Sequence, residues 1–279
     1  MEGDGLDFLR LLPRDIKMYQ YSDFEDLKDV AQKEYRHFVF DVSRNPLVVF
    51  ENVPSSEVDD HRDEFPGKID YCSSLRILAI KLSTNPQEES VRAFDDCLKA
   101  KIRNMGVQGE ASFRGAASIV ETSDRRKEPD RSYLPRDSTI HGRSGKWPTV
   151  VLEAYFSQSL EQVKGDVKWW FDQSGGEVQA VITIDIKRPS CDIFVTTWER
   201  GIEKGSDPRQ TQTAKVSHEN GTEQALVTGD GITLKFQQLL LREPNTEKGE
   251  KDFVFTVDHL KDVGKRAWDV MGTMSYIEA

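Results

Sequence analysis

The feature that most constrains this chain is a run of apolar strand, helix and apolar strand between residues 148 and 186. "PTVVLEAYF" (Pro148 to Phe156) carries Val150, Val151 and Leu152 without interruption. Such a run suits a central strand covered on both faces. "SLEQVKGDVKWWFDQSGG" (Ser159 to Gly176) follows as a helix. Ser159 and Gln162 have the spacing of a capping box, and Gly175 or Gly176 can stop the helix. Leu160, Val163, Val167, Trp170 and Phe171 fall on one helical stripe. "VQAVITIDI" then reads as a second buried strand. Strand, helix and strand in that order predict a crossover, and with it an α/β fold around a central mixed sheet flanked by helices.

The flanking sequence extends this centre. "EASFRGAASIVE" (Glu110 to Glu121) and "EPDRSYLP" (Glu128 to Pro135) read as strands before it, and "DIFVTTWE" as a strand after it. "ITLKFQQLLLR" and "DFVFTV" add strand-like pieces, and "DHLKDVGKRAWDVMG" closes the chain as a helix. Residues 1–105 read as a mainly helical N-terminal region. Its two helices are "DFEDLKDVAQKEYRHFVFDVSR", capped by Asp23 or Ser22, and "PQEESVRAFDDCLKAKIRNMG", ending at Gly106. A polar, acidic loop around "PSSEVDDHRDEFPG" separates them. The polar segment from Arg200 to Gly229 reads as an insertion or mobile loop within a domain spanning 106–279.

Charge and composition exclude several classes of function. The net charge of −10 argues against broad, non-specific coating of nucleic acid. Between Arg114 and Lys146, however, eight Lys/Arg stand against five Asp/Glu, which leaves room for a local basic groove. The basic run "DRRK" (Asp124 to Lys127) is a candidate contact for phosphate backbone, against its default as a solvated loop. No stretch reaches the ~18 apolar residues of a membrane span, and the N-terminus has no apolar signal-peptide core. Cys72, Cys97 and Cys191 are widely spaced, without CxxC. A reducing, intracellular location is expected, cytoplasmic or nuclear. "NGT" at Asn220 reads as a turn. The five histidines show no HExxH or HxH spacing, and no P-loop, GxSxG or GxGxxG occurs.

What remains is a constellation of charged groups. Asp130 follows a proline at a short strand, and Glu153 interrupts the apolar run of the next one. A buried carboxylate needs a partner or a metal. Two carboxylates on neighbouring strands can hold Mg²⁺ or Mn²⁺, with a backbone carbonyl such as that of Ala154 completing the coordination. Lys164 and Lys168 flank the buried stripe of the following helix, where a long amine could reach a strand end and steady charge on a phosphate. Asp166 falls on the opposite flank. Of Trp169 and Trp170, one reads as core and the other as half-exposed packing, rather than as a base-stacking platform.

"EPD", "WPTVVLEAYFSQS", "VKGDVKWWF" and "VITIDI", in this order and spacing, resemble the PD-(D/E)XK restriction-endonuclease-like superfamily. More narrowly they are similar to members, fungal ones among them, whose lysine has migrated from the glutamate strand to the following helix. The resemblance covers residues 106–200. It implies a restriction-endonuclease-like core and a metal-dependent nuclease that hydrolyses phosphodiester bonds of nucleic acid, DNA rather than RNA. Asp130 and Glu153 would be its metal ligands, and Asp130, Glu153 and Lys168 its catalytic set. Lys164 is the alternative lysine, and Ser157 is secondary. The standard pattern places lysine at position 155, where this chain has Tyr155. "DIK" (Asp185 to Lys187) is a rival that spells the strand motif literally, with Glu153 as its first acid. A nuclease-fold interaction module without catalysis is the alternative function, and a homodimer is compatible with either.

Overall fold

The computed structural model describes residues 3–41, 44–114, 119–137, 143–156, 158–203, 205–218 and 224–274. In chain order the elements are α1 (Gly3–Leu11), β1 (Met18–Gln20), α2 (Phe24–Phe40), β2 (Leu47–Glu51), α3 (Ser55–Asp60), β3 (Lys68–Cys72) and β4 (Ile77–Lys81). There follow α4 (Asn85–Asn104), β5 (Ala111–Arg114), β6 (Val120–Glu121), β7 (Arg125–Lys127), β8 (Arg131–Pro135), β9 (Val150–Phe156) and α5 (Leu160–Gln173). The chain continues with β10 (Ala180–Ile186), β11 (Ile193–Glu199), β12 (Arg209–His218), β13 (Ala225–Thr228), β14 (Ile232–Leu234), α6 (Phe236–Leu240), β15 (Phe253–Phe255) and α7 (Val257–Met274).

These elements form two compact units. One comprises Met1–Ser83, Ala116–Pro129 and Gln158–Gly165, the other Thr84–Gly115, Asp130–Ser157 and Asp166–Ala279. The sequence grouped α4 with the first hundred residues. In the structure it belongs to the second unit, because its apolar stripe of Val91, Phe94, Leu98 and Ile102 is buried there and it packs on β9, β10, β15 and α7.

The first unit contains α2, one of the two helices expected near the N-terminus, together with a six-stranded sheet in the order β1-β2-β4-β3-β7-β6. Asp23 caps α2 by accepting from the Asp26 amide at 2.9 Å. The strands β2, β3 and β4 flank the acidic stretch that the sequence offered as inter-helix loop, and α3 occupies part of it. Phe8, Val49, Cys72, Ile77 and Ala79 form a buried cluster. Beside the strands sits an ionic group. Asp70 accepts from Arg125 Nε at 2.6 Å and from Lys127 Nζ at 2.8 Å. The β3–β7 register pairs Asp70 with Lys127 and Cys72 with Arg125, and both cations are buried. The "DRRK" run is therefore neither a solvated loop nor a phosphate contact through these two residues. Arg126, between them, pairs with Asp59 and Glu121.

The second unit carries a seven-stranded mixed sheet in the order β13-β12-β11-β10-β9-β8-β5. β9 and β10 are parallel, as the crossover predicts, and the other neighbours are antiparallel. Every residue of β9 is buried, as its continuous apolar sequence requires. The α5 capping box forms as expected, with Ser159 N donating to Gln162 Oε1 and Gln162 N to Ser159 Oγ. Gly175 and Gly176 end that helix at φ of 59° and 104°, where residues with a Cβ are strained.

Three local readings change. The segment from Arg200 to Gly229 is not simply a loop: β12 and β13 extend the central sheet from β11. Only Ala214 and Val216 of β12 are buried, so an exposed face hid the strand among polar residues. Within "ITLKFQQLLLR", β14 is followed by the short helix α6. Glu110 to Glu121 is not one strand, since β5 and β6 belong to different sheets. Asn220 and its sequon lie outside the described residues. Among those described, no helix is long and apolar enough to cross a membrane.

Candidate functional site

The site expected from the sequence lies at the β8–β9–β10 part of the second unit. β8 pairs antiparallel with β9, Arg131 opposite Leu152. Continuing that register by one residue sets Asp130, at the bend before β8, opposite Glu153. Asp130 and Glu153 are only 7% and 2% exposed. Asp130 Oδ2 accepts from the Ala154 amide at 2.7 Å, and Glu153 Oε1 from Trp170 Nε1 at 3.0 Å. These hydrogen bonds fix both carboxylates to rigid elements. The Ala154 carbonyl, on the same strand, accepts from Gln87 Nε2 of α4 at 3.3 Å. Gln87 is itself oriented through its Oε1, which accepts from Thr84 N and Oγ1.

Side chains two apart on a strand share a face, as do registered partners on parallel neighbours. Glu153 pairs with Thr183 and Tyr155 with Asp185. One row therefore sets Glu153 beside Thr183, and the next brings Tyr155 beside Asp185. Trp198 Nε1 donates to Thr183 Oγ1 at 2.9 Å. The Tyr155 hydroxyl lies 3.5 Å from Asp166 Oδ2 of α5. Burial pushes the Tyr155 phenol well above its usual range, and the negative charges of Asp166, Glu153, Asp130 and Asp185 add to that. Tyr155 thus stays neutral and acts as a hydrogen-bond donor. Burial also raises Asp185, while Lys187, ion-paired to it, pulls the other way.

Both carboxylates are held at β9; Lys168 does not join them. Its ammonium donates to the Gly205 carbonyl at 2.5 Å and the Ser206 carbonyl at 3.3 Å, and pairs with Asp172 at 3.0 Å. Trp170, which reaches Glu153, lies two residues further along α5, and residues two apart on a helix do not face each other. The same rule fits Asp166: on the flank of the stripe opposite the lysines, as the sequence placed it, it stands four residues before Trp170 and reaches Tyr155 of β9. Lys164 is exposed, and Ser157 lies outside the described residues. Trp169 and Trp170 are both buried, at 6% and 0% exposure, so neither is a half-exposed packing residue or a platform for bases. Their rings meet edge to face, 4.9 Å apart.

Tyr155, Asp166 and Asp185 are the residues the sequence did not single out together. The i, i+4 spacing of Asp166 and Trp170 was the available signal for the helix partner. The strand register that brings Asp185 to Tyr155 has no signal in one sequence.

The donor set discriminates between metals. Among the described residues, no three His, Cys, Asp or Glu groups cluster closely enough to hold a metal by themselves, as a zinc site would require. Two hard carboxylates suit Mg²⁺ or Mn²⁺, which keep several waters and take further oxygens from a phosphate. Asp130 and Glu153 are the residues that could hold such an ion.

No family model and no curated protein sequence matches the chain. Among solved structures it is similar to a candidate nuclease belonging to DUF820 from Anabaena variabilis ATCC 29413, at 11% identity and a TM-score of 0.40, over 74% of this chain and 97% of that one.

Proposed function

We propose that the protein is a metal-dependent nuclease of restriction-endonuclease-like fold that hydrolyses phosphodiester bonds, with Asp130 and Glu153 holding Mg²⁺ or Mn²⁺. The observation that carries this reading is that two buried carboxylates are held at β9, Asp130 by the Ala154 amide and Glu153 by the Trp170 indole. Two like charges opposite each other in a sheet are unfavourable unless something uses them. A divalent cation would relieve that crowding and, once bound, would polarise a phosphate oxygen and acidify a bound water.

The chain's own contribution is to hold the two ligands in place. Trp170 orients Glu153, the Ala154 amide orients Asp130, and the neutral Tyr155 hydroxyl faces Asp166. In the reaction a water oxygen bonds to phosphorus, the bond from phosphorus to the leaving sugar oxygen breaks, and that oxygen takes up a proton. The products are a phosphate monoester and an alcohol. The substrate class is nucleic acid, with DNA favoured over RNA by the resemblance alone.

A second reading is a nuclease-fold interaction module without catalysis. Tyr155 in the place of lysine and the engagement of Lys168 with Asp172, Gly205 and Ser206 favour it. Incubation of the purified protein with plasmid, single-stranded DNA and RNA separates the two. Cleavage in Mg²⁺ or Mn²⁺ that stops in EDTA is the expected result. No cleavage of any substrate in either metal would sink the nuclease and leave the module.

A further inference from the structure

We infer that Lys187, just past the end of β10, not Lys168 of α5, supplies the positive charge that meets a phosphate at this site. The inference rests on the nuclease reading for the identity of the ligand, a nucleic-acid phosphate, and on strand geometry for the residue.

A lysine at position 155 would lie two residues beyond Glu153, on the same face of β9. Tyr155 occupies that position, and its registered neighbour on β10 is Asp185. Lys187 lies two residues beyond Asp185 and so on the same face as Glu153, Tyr155 and Asp185. Its ammonium is ion-paired to the Asp185 carboxylate, which places the positive charge one strand over from position 155, where the standard pattern has its lysine. Lys187 also sits at the strand end, where its amide donates to Asp192 O at 2.8 Å in the turn to β11. Its side chain is 34% exposed, against 14% for Asp185, so it opens toward solvent from its carboxylate partner. Asp185 is then a positioning residue: it holds the amine at this edge, and its Oδ1 is a buried oxygen without a hydrogen-bond partner, free to take up a second donor. Lys168, by contrast, is committed to the Gly205 and Ser206 carbonyls and to Asp172 of its own helix.

The test measures binding separately from cleavage. A short fluorescein-labelled DNA duplex is titrated with the full chain in Ca²⁺ over a range of salt concentrations. Wild type is compared with Lys187→Met, Lys187→Gln, Lys187→Arg and Lys168→Met, and folding of each is checked by circular dichroism. Loss of one phosphate contact should weaken binding about tenfold and flatten the slope of log K against log salt by about 0.9. Both neutral Lys187 variants should show this, Lys187→Arg should retain the wild-type slope, and Lys168→Met should leave it unchanged. An unchanged slope in folded Lys187→Met and Lys187→Gln, or a flattened slope in Lys168→Met, would overturn the inference, as would failure of the wild type to bind the duplex.

Parallel incubation in Mg²⁺ keeps the two proposals apart. Wild type that binds through Lys187 but does not cut removes hydrolysis and keeps the inference. Wild type that cuts while its salt slope ignores Lys187 removes the inference and keeps hydrolysis.

Discussion

Glu153→Gln should abolish metal-dependent cleavage without lowering the stability of the metal-free protein. Glutamine keeps the shape of the side chain and a carbonyl oxygen for Trp170 Nε1, now 3.0 Å from Glu153 Oε1. What it loses is the negative charge. Removing an outer partner of a metal ligand commonly costs roughly 10–100-fold in activity or metal affinity, and removing a ligand itself should exceed that. Stability should move the other way or not at all, because the substitution takes a buried charge away from its position opposite Asp130. Thermal unfolding in EDTA checks the second half. A midpoint well below wild type would mean that Glu153 is a structural carboxylate held by partners of its own, and the loss of cleavage would then say nothing about a metal.

Asp70→Asn should destabilise the protein by about 3–5 kcal/mol, the range for removing one partner from a buried ion pair. Arg125 and Lys127 approach the same carboxylate, and their side chains are 2% and 8% exposed. Asparagine would leave two buried cations without the anion between them. Burial by itself would raise the Asp70 carboxyl; the charges of Arg125 and Lys127 and their hydrogen bonds outweigh it and hold the group well below the ordinary carboxylate range. A depressed folded value means that the contribution is complete above the unfolded value of about 3.9 and is lost as pH falls below it. Urea unfolding of both proteins should therefore differ most at neutral pH, with the gap narrowing at pH values below about 4. A gap that stays constant through that range would contradict the assignment.

The parts of this fold that the sequence revealed are those in which one residue pattern has one outcome. Val150 to Leu152, the Ser159–Gln162 cap and the glycine pair at 175 and 176 specified a buried strand, a helix and its end, and the crossover followed. The strands β2 to β4 were hidden because they are short and set among charged, helix-favouring neighbours. β12 was hidden because most of its side chains face solvent, so its polar sequence reads like a loop. At the site, Glu153 stood out as a charge in an apolar run, and Asp130 as an acid after a proline at the start of a short strand. Lys168 was misplaced because a position on the flank of a helical stripe does not say which strand or turn the amine will reach; its side chain found the carbonyls of Gly205 and Ser206. Tyr155 and Asp185 meet only through the β9–β10 register, which is a long-range property.

The central claim is that Asp130 and Glu153 form one metal site, and Mn²⁺ binding tests it most directly. Free Mn²⁺ is measured by electron paramagnetic resonance as it is added to wild type, Asp130→Asn and Glu153→Gln. The account predicts saturable uptake by the wild type, strengthened by a short phosphorothioate duplex and lost in both variants. Uptake that persists in both variants, or a wild type that binds no Mn²⁺ with or without the duplex, would contradict it.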